Sequence, residues 1–449
     1  METTSRERLS YYAFSFGQII FYMVMTSYLQ IFMTDIAIPA TAVGVILLVA
    51  RVWDAVNDPM FGVIVSKSRL KGGKYKPWLK LSPVLIFLFT VLLFALPANL
   101  STNAKTALAA VLYICWGMSY TLCDVPYFSI VTTMSSSISE RNHVISRAKL
   151  FTMIGSALAV LVIPLVYPVI GWTAAIAIFS VAALAFMLPL SRVANERHRS
   201  TDDAPTLKAI FTSVARNKCL LIFCLSFIVG NITNTILIIN GYFAIYCLGG
   251  PQMIPLITLV PMAFAGVFVG FVPAIIKRVD KFTVYLITLV ISIAMSVAMY
   301  FVGYSSLAVY LVLATIRAVA FSFSSNFITL FIVDCAEYGL YRTGENITAV
   351  TISLQTFTVK TLSALAAALT MFILGYVGFV DGAGVAQPAV VVDTIWTLTS
   401  IFPAIGMAFS FFVLLFGYKL RDRDVQIMAE ANTGRLDRQK AEEMLSKKY

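Results

Sequence analysis

Charge is what this chain has least of. Asp, Glu, Lys and Arg make up 12% of its 449 residues, where soluble domains carry about 25%, and that shortfall excludes an ordinary water-soluble globule. Histidine is scarcer still: His143 and His198 are the only two, and both fall in polar segments outside the long apolar runs. The chain has no HExxH, GxSxG or GxxxxGK[ST] motif and no paired Cys/His, so the spacings that zinc hydrolases, serine hydrolases and P-loop enzymes need are missing. An enzymatic reading finds no support. The six cysteines (Cys115, Cys123, Cys219, Cys224, Cys247, Cys335) are scattered without CxxC spacing and read as buried apolar thiols, not as metal ligands or disulfide partners. No small-residue cleavage site follows the polar stretch Met1–Ser10, so the first apolar helix is expected to be retained.

What fills the chain instead is apolar: 59% of it is hydrophobic and the mean hydropathy is +0.86. This composition predicts an all-α membrane protein of an inner or plasma membrane, with the lipid bilayer as its permanent partner. Windows long enough to span a bilayer, about 20 residues each, fall near 11–33, 41–65, 78–97, 105–133, 146–170 and 172–191. A second set follows near 219–247, 253–276, 283–303, 306–333, 347–379 and 393–418. Twelve transmembrane helices in two six-helix bundles are therefore expected. Residues 1–191 form the N-terminal bundle, 192–218 a cytoplasmic linker with a short amphipathic run from Thr206 to Ala215, and 219–418 the C-terminal bundle. Residues 419–449 form a solvated or membrane-surface helical tail.

The net charge of +11 does not mark a nucleic-acid surface. Of 33 Lys and Arg, four fall within helices (Arg51, Lys149, Arg317, Lys360), Lys105 alone lies on the far side, and the remaining 28 lie on one side of the topology. That asymmetry predicts cytoplasmic termini. The basic loop Ser66 to Pro77 belongs to the same pattern.

The polar residues inside the apolar windows carry the functional argument. Helix 2 contains Ala50-Arg51-Val52-Trp53-Asp54-Ala55-Val56-Asn57-Asp58-Pro59. Asp54 and Asp58 at i,i+4 share one face, Asn57 borders it, and Arg51 lies a turn before Asp54. One positive against two negative charges leaves a single negative charge near mid-membrane, and a monovalent cation would neutralise it. Each such charge costs roughly 2.5 to 3.5 kcal/mol at a helix centre, so residues of this kind line an ion or solute path. Helix 4 offers Thr121 and Asp124 at i,i+3, with Pro126 freeing a carbonyl nearby. Asp124 either meets a solute or pairs with a basic residue such as Lys149 of helix 5, which is also placed to snorkel to the interface.

Helix 11 carries Gln355 and Lys360, the latter too deep to snorkel. Helix 10 carries Arg317, a pathway charge or a helix-helix clamp. Helix 7 has Asn231, Thr233, Asn234, Thr235 and Asn240; its Asn231–Asn234 stripe suits solute hydroxyls or polar contacts between helices. Trp53 and Trp116 are aromatic plates able to stack on a sugar ring or to pack.

The segments ARVWDAVNDP, KGGKYKPW, CWGMSYTLCDVPYFS, VDCAEYG and SLQTFTVK together resemble the glycoside-pentoside-hexuronide:cation symporters of the major facilitator superfamily, over nearly the whole chain. The resemblance implies that superfamily's fold and carries a cation site onto Asp54, Asn57, Asp58 and Thr121. If the ion is sodium, Asp54 and Asp58 are its metal ligands. It carries solute contacts onto Asp124, Phe128, Lys149 and Lys360. A galactoside-carrying member of the family has a Lys-Asp pair in helix 1, where this chain reads Gln18-Ile19; Gln18 keeps hydrogen-bonding capacity and Ile19 has none. Phe128 and Lys149 replace a Trp and an Arg, which removes a ring N–H and a forked donor.

The reading is symport of a small-molecule substrate, a sugar or glycoside, with a sodium ion or a proton, by alternating access. No cofactor beyond the coupling cation is expected. Substrate-binding candidates are Gln18, Asp124, Phe128, Lys149, Asn231, Asn234, Gln355 and Lys360, with Arg51 and Arg317 as structural charges. The alternatives are an uncoupled facilitator or exporter of a non-sugar polar solute, and a non-transporting membrane sensor.

Overall fold

The computed structural model describes residues 2–67, 72–97, 99–197, 217–233, 235–343, 348–382 and 384–446. Among these every regular element is helical. The helices are α1 (Ser5–Asp35), α2 (Ala40–Lys67), α3 (Lys76–Phe94), α4 (Thr102–Met134), α5 (Ile138–Ile170) and α6 (Trp172–Val193). Then come α7, in two pieces (Lys218–Ile232 and Ile236–Cys247), α8 (Ile254–Val269), α9 (Lys281–Val302), α10 (Leu307–Thr343), α11 (Thr348–Tyr376) and α12, again in two pieces (Ala389–Thr399 and Phe402–Gly417). Among the described residues nine helices are long and apolar enough to cross a membrane. The other three segments are α2, which carries the charges singled out above, the divided α7, and α11.

Local chemistry sets the helix ends. Thr4 and Glu7 form a capping box at the start of α1, and Ser101 and Ser137 cap α4 and α5 through their hydroxyls. A π-helical turn at Val24–Tyr28 interrupts α1, a local irregularity of the kind found at functional sites. Gly171, at φ +83°, is the single residue between α5 and α6.

Two compact units follow packing, not chain order. The first comprises Met1–Ala204, Leu237–Leu256 and Ala367–Thr394; the second comprises Pro205–Ile236, Ile257–Ala366 and Ile395–Tyr449.

In the first unit α1 lies against α5 and α6, α3 against α4 and α6, and α2 against α4. The later segments of this unit close on the end of α1 and the start of α2. Thr34 and Tyr242 share a hydroxyl–hydroxyl bond of 3.2 Å, Gly382 N–H donates to the Thr34 carbonyl at 2.8 Å, and Asp381 accepts from Ala40 N–H at 3.1 Å. At the other end of the unit Glu196 accepts the N–H groups of Lys74, Tyr75 and Lys76 at the start of α3. Buried Glu7 is paired with Arg197 at 2.9 Å.

In the second unit α9 packs on α10 and on the second piece of α12, which also packs on the first piece of α7. Small residues permit that last approach: Gly230 and Gly406 face Ser410 and Thr233, and Ser226 and Ser410 each donate to the other's carbonyl. The expected tail is helical, at Asp422–Asn432 (α13) and Arg438–Met444 (α14). It is not merely solvated. Met428 and Ala441 are fully buried and α13 docks on α10, because Val425, Ile427, Met428 and Ala431 form one apolar face that a solvated helix would leave in water. The linker run Thr206–Ala215 lies outside the described residues.

Candidate transport site

α2 and α4 lie side by side, and the cation candidates lie on these two helices. Arg51 Nη1 is 3.0 Å from Asp54 Oδ2, the i,i+3 pair that their spacing allows. The other oxygen, Oδ1, faces α4 at Gly117, only 3.2 Å from where a β-carbon would stand. Any larger residue at 117 would displace that carboxylate. Thr121, buried, is one turn further along α4. Asn57 is fully buried, and among the described residues neither its Oδ1 nor its Nδ2 has a hydrogen-bond partner. An unsatisfied buried amide costs about 1 to 3 kcal/mol per group, so it needs a reason. The side chain of Asp58 lies outside the described residues.

The solute candidates divide. Gln18 on α1 and Asp124 on α4 are brought together: Gln18 Nε2 donates to Asp124 Oδ1 at 2.6 Å. Ile19 points elsewhere, with its Cγ2 against Gly155 of α5. Phe128 is 63% exposed, edge-on to Tyr127, and Lys149 is exposed. Among the described residues Lys149 makes no ion pair, so it is not the partner of Asp124. Asn234, Gln355 and Lys360 lie outside the residues whose side chains are described.

Arg317 is a clamp. It is buried, and its Nη1 donates to the carbonyls of Thr399 at 2.8 Å and Ser400 at 3.5 Å, where α12 is interrupted. Thr235, at the interruption of α7, donates to Leu398 O at 2.8 Å. Broken helices leave carbonyls unpaired, and these two side chains satisfy them. Asn231 donates to Phe227 O on its own helix, so helix 7 spends much of its polarity on backbone groups. Among the described residues Asn240 keeps an unpartnered Oδ1. Trp116 packs, stacked between Tyr113 and Tyr120 with its N–H on Thr90 Oγ1 at 3.0 Å; Trp53 is 38% exposed. Cys123, Cys219 and Cys335 are buried, the other three cysteines half-buried, and all six are free thiols.

Gly117 is a candidate functional residue not among those read from the sequence; its signal there is a glycine one turn before Thr121 inside CWGMSYT, on the face of α4 that α2 meets.

Comparison with known proteins agrees with this architecture. The family described as MFS/sugar transport protein matches residues 10–422. The chain belongs to this family and is therefore a multi-pass membrane transporter, not an enzyme. It is 29% identical over 437 residues to an uncharacterized symporter, YjmB, of Bacillus subtilis (strain 168), covering 93% of each chain. It is 26% identical over 416 residues to a glucuronide carrier protein homolog of Escherichia coli (strain K12), covering 88% of each. The solved structure of the nucleoside transporter NupG superimposes with a TM-score of 0.69 over 91% of this chain and 99% of that one, at 12% identity. That last likeness concerns the fold alone.

Proposed function

We propose that this transporter couples a monovalent cation, sodium or a proton, to the movement of a sugar or glycoside by alternating access. The observation that carries the proposal is Asn57, whose whole amide is buried without a partner among the described residues, beside Asp54 and Asp58 in sequence. A cation bound by α2 carboxylates, Asn57 and Thr121 gives that amide oxygen a ligand to hold and removes the surplus negative charge of the helix. Arg51 engages Oδ2 of Asp54 and orients the carboxylate, leaving Oδ1 directed at α4. The proposal has both termini and the 192–218 linker on the cytoplasmic side, with six-helix bundles at 1–191 and 219–418.

For the solute, the Gln18–Asp124 pair supplies a neutral donor and an anionic acceptor, the chemistry that ring hydroxyls need. A second reading, a hexuronide or other anionic sugar, is favoured by the exposed Lys149, which makes no ion pair among the described residues, and by the likeness to a glucuronide carrier homolog.

Counterflow in proteoliposomes against a panel of neutral and acidic sugars, with and without sodium and proton gradients, tests both. Uptake of a sugar that rises with one gradient supports symport. Exchange indifferent to both gradients leaves an uncoupled facilitator, and ligand binding without exchange leaves a sensor.

A further inference from the structure

The second unit carries a crevice of about 400 Å³ on its surface between α9 and the end of α12. Its walls are Leu286, Ile287, Val290 and Phe411, and Arg421 closes one end. Ile287 and Val290 are about half exposed, as befits side chains that meet lipid tails. From Phe282 to Ile291 the crevice follows ten residues of α9, nine steps along the helix. At 1.5 Å per residue that is roughly 14 Å, close to one leaflet of a hydrocarbon core about 30 Å thick.

Arg421 is held in place at the mouth. Its guanidinium lies 3.9 Å over the Phe282 ring, which itself stacks on Tyr418. Nη1 donates to the carbonyls of Leu420 at 2.8 Å and Tyr418 at 3.3 Å. Among the described residues no carboxylate pairs with it: of the nearby acids, Asp334 and Asp422 are taken by Lys281, at 2.6 and 3.2 Å, and Asp280 accepts the N–H groups of Phe282 and Asp422. A guanidinium with donors to spare, fixed at the end of an apolar groove one leaflet deep, matches a phosphate joined to an acyl chain.

We propose that this crevice is a binding site for one anionic glycerophospholipid of the leaflet next to the tail, its phosphate on Arg421 and an acyl chain between α9 and α12. The site lies outside the transport residues, and it ties the lipid to the junction where α12 gives way to the docked α13.

Native mass spectrometry of the full-length protein, titrated with phosphatidylglycerol, tests this. Wild type is expected to retain one tightly held lipid. Arg421→Gln removes the charge and is expected to weaken retention about tenfold or more. Because Arg421 also caps backbone carbonyls, a second variant leaves it untouched: Ile287→Trp, at a half-exposed position, fills the groove and is expected to abolish the same binding without lowering the melting temperature. Equal retention in wild type and Ile287→Trp overturns the proposal. So does phosphatidylcholine held as tightly as phosphatidylglycerol, or displacement of the lipid by inorganic phosphate at equal concentration, which would make the site one for a free anion.

Discussion

Gln18 of α1 and Asp124 of α4 are joined across 2.6 Å by a hydrogen bond from the amide nitrogen to a carboxylate oxygen. The donor is neutral, so the bond orients Asp124 without cancelling its charge. In the proposed solute site a hydroxyl would meet an acceptor already fixed in place, and hydrogen bonds to a carboxylate are strong when it is charged.

Asp124→Asn should therefore weaken solute binding by about 1.5 to 3 kcal/mol, the range for a bond to a charged group, while cation binding survives. Gln18→Ala should have a smaller effect, because Asp124 keeps its charge and loses only its orientation. Calorimetry with the transported sugar measures both. Loss of solute and cation binding together in Asp124→Asn, or of neither, removes Asp124 from the solute site.

The sequence made the helices and the charged face of α2 legible because membrane helices announce themselves by length and apolarity, and a charge within one is conspicuous. It left other features hidden. Whether Arg317 lined a pathway or clamped helices depended on where α12 breaks, and nothing within helix 10 itself reveals that. Position 19 read as a lost solute ligand, yet Ile19 sits against Gly155 of α5. An Asp placed there alone would press its carboxylate on that helix, so restoring the family's residue is not a simple route to galactoside binding. Asn57 stood out by residue type, but its unpartnered amide became visible only from the packing of its neighbours.

Arg317 gives a prediction about stability without transport. Replacing it by Met keeps much of the volume but strips the Thr399 and Ser400 carbonyls of their donor. A loss of about 1.5 to 3 kcal/mol is expected, read as a lower melting temperature, with solute affinity unchanged. A variant that melts normally but no longer binds solute would place Arg317 in the pathway after all.

Asp381 makes the closure at the end of α1 sensitive to pH. Burial pushes its carboxyl up to about 6, although the Ala40 N–H bond pulls the other way. A carboxyl whose folded pKa lies above its ordinary 3.8 binds its proton more tightly in the packed form. Its contribution is full below the unfolded value and is lost as pH rises through the folded one. Protection of the Ala40 amide in hydrogen exchange, corrected for intrinsic rates, should fall as pH rises from about 4 to 7, and Asp381→Asn should flatten that trend. An unchanged slope in the variant would assign the effect to another group.

Coupling is the prediction on which the proposed function turns. Asp54 and Asp58 outweigh Arg51 by one unit in the sequence of α2, and Asn57 adds a buried amide that meets no partner among the described residues. A bound cation answers both costs. Thr121 and Asp124 lie one turn apart on α4, so a helix position that suits the cation also sets the position of the solute acceptor. Linkage makes the effect mutual: whatever factor the cation adds to solute affinity, the solute adds to cation affinity, typically about 5- to 150-fold. Asp58→Asn should abolish the cation dependence of solute binding while leaving weak binding of the solute itself. Asn57→Ala should reduce that dependence with little loss of stability, because it deletes a polar group that makes no protein hydrogen bond. Gly117→Val should do the same by pushing Asp54 Oδ1 off α4. Solute affinity measured by calorimetry across sodium concentration and pH in these variants decides the matter. A wild-type affinity flat in both variables, with Asn57→Ala melting well below wild type, would make the cluster a structural salt bridge and leave the transporter uncoupled.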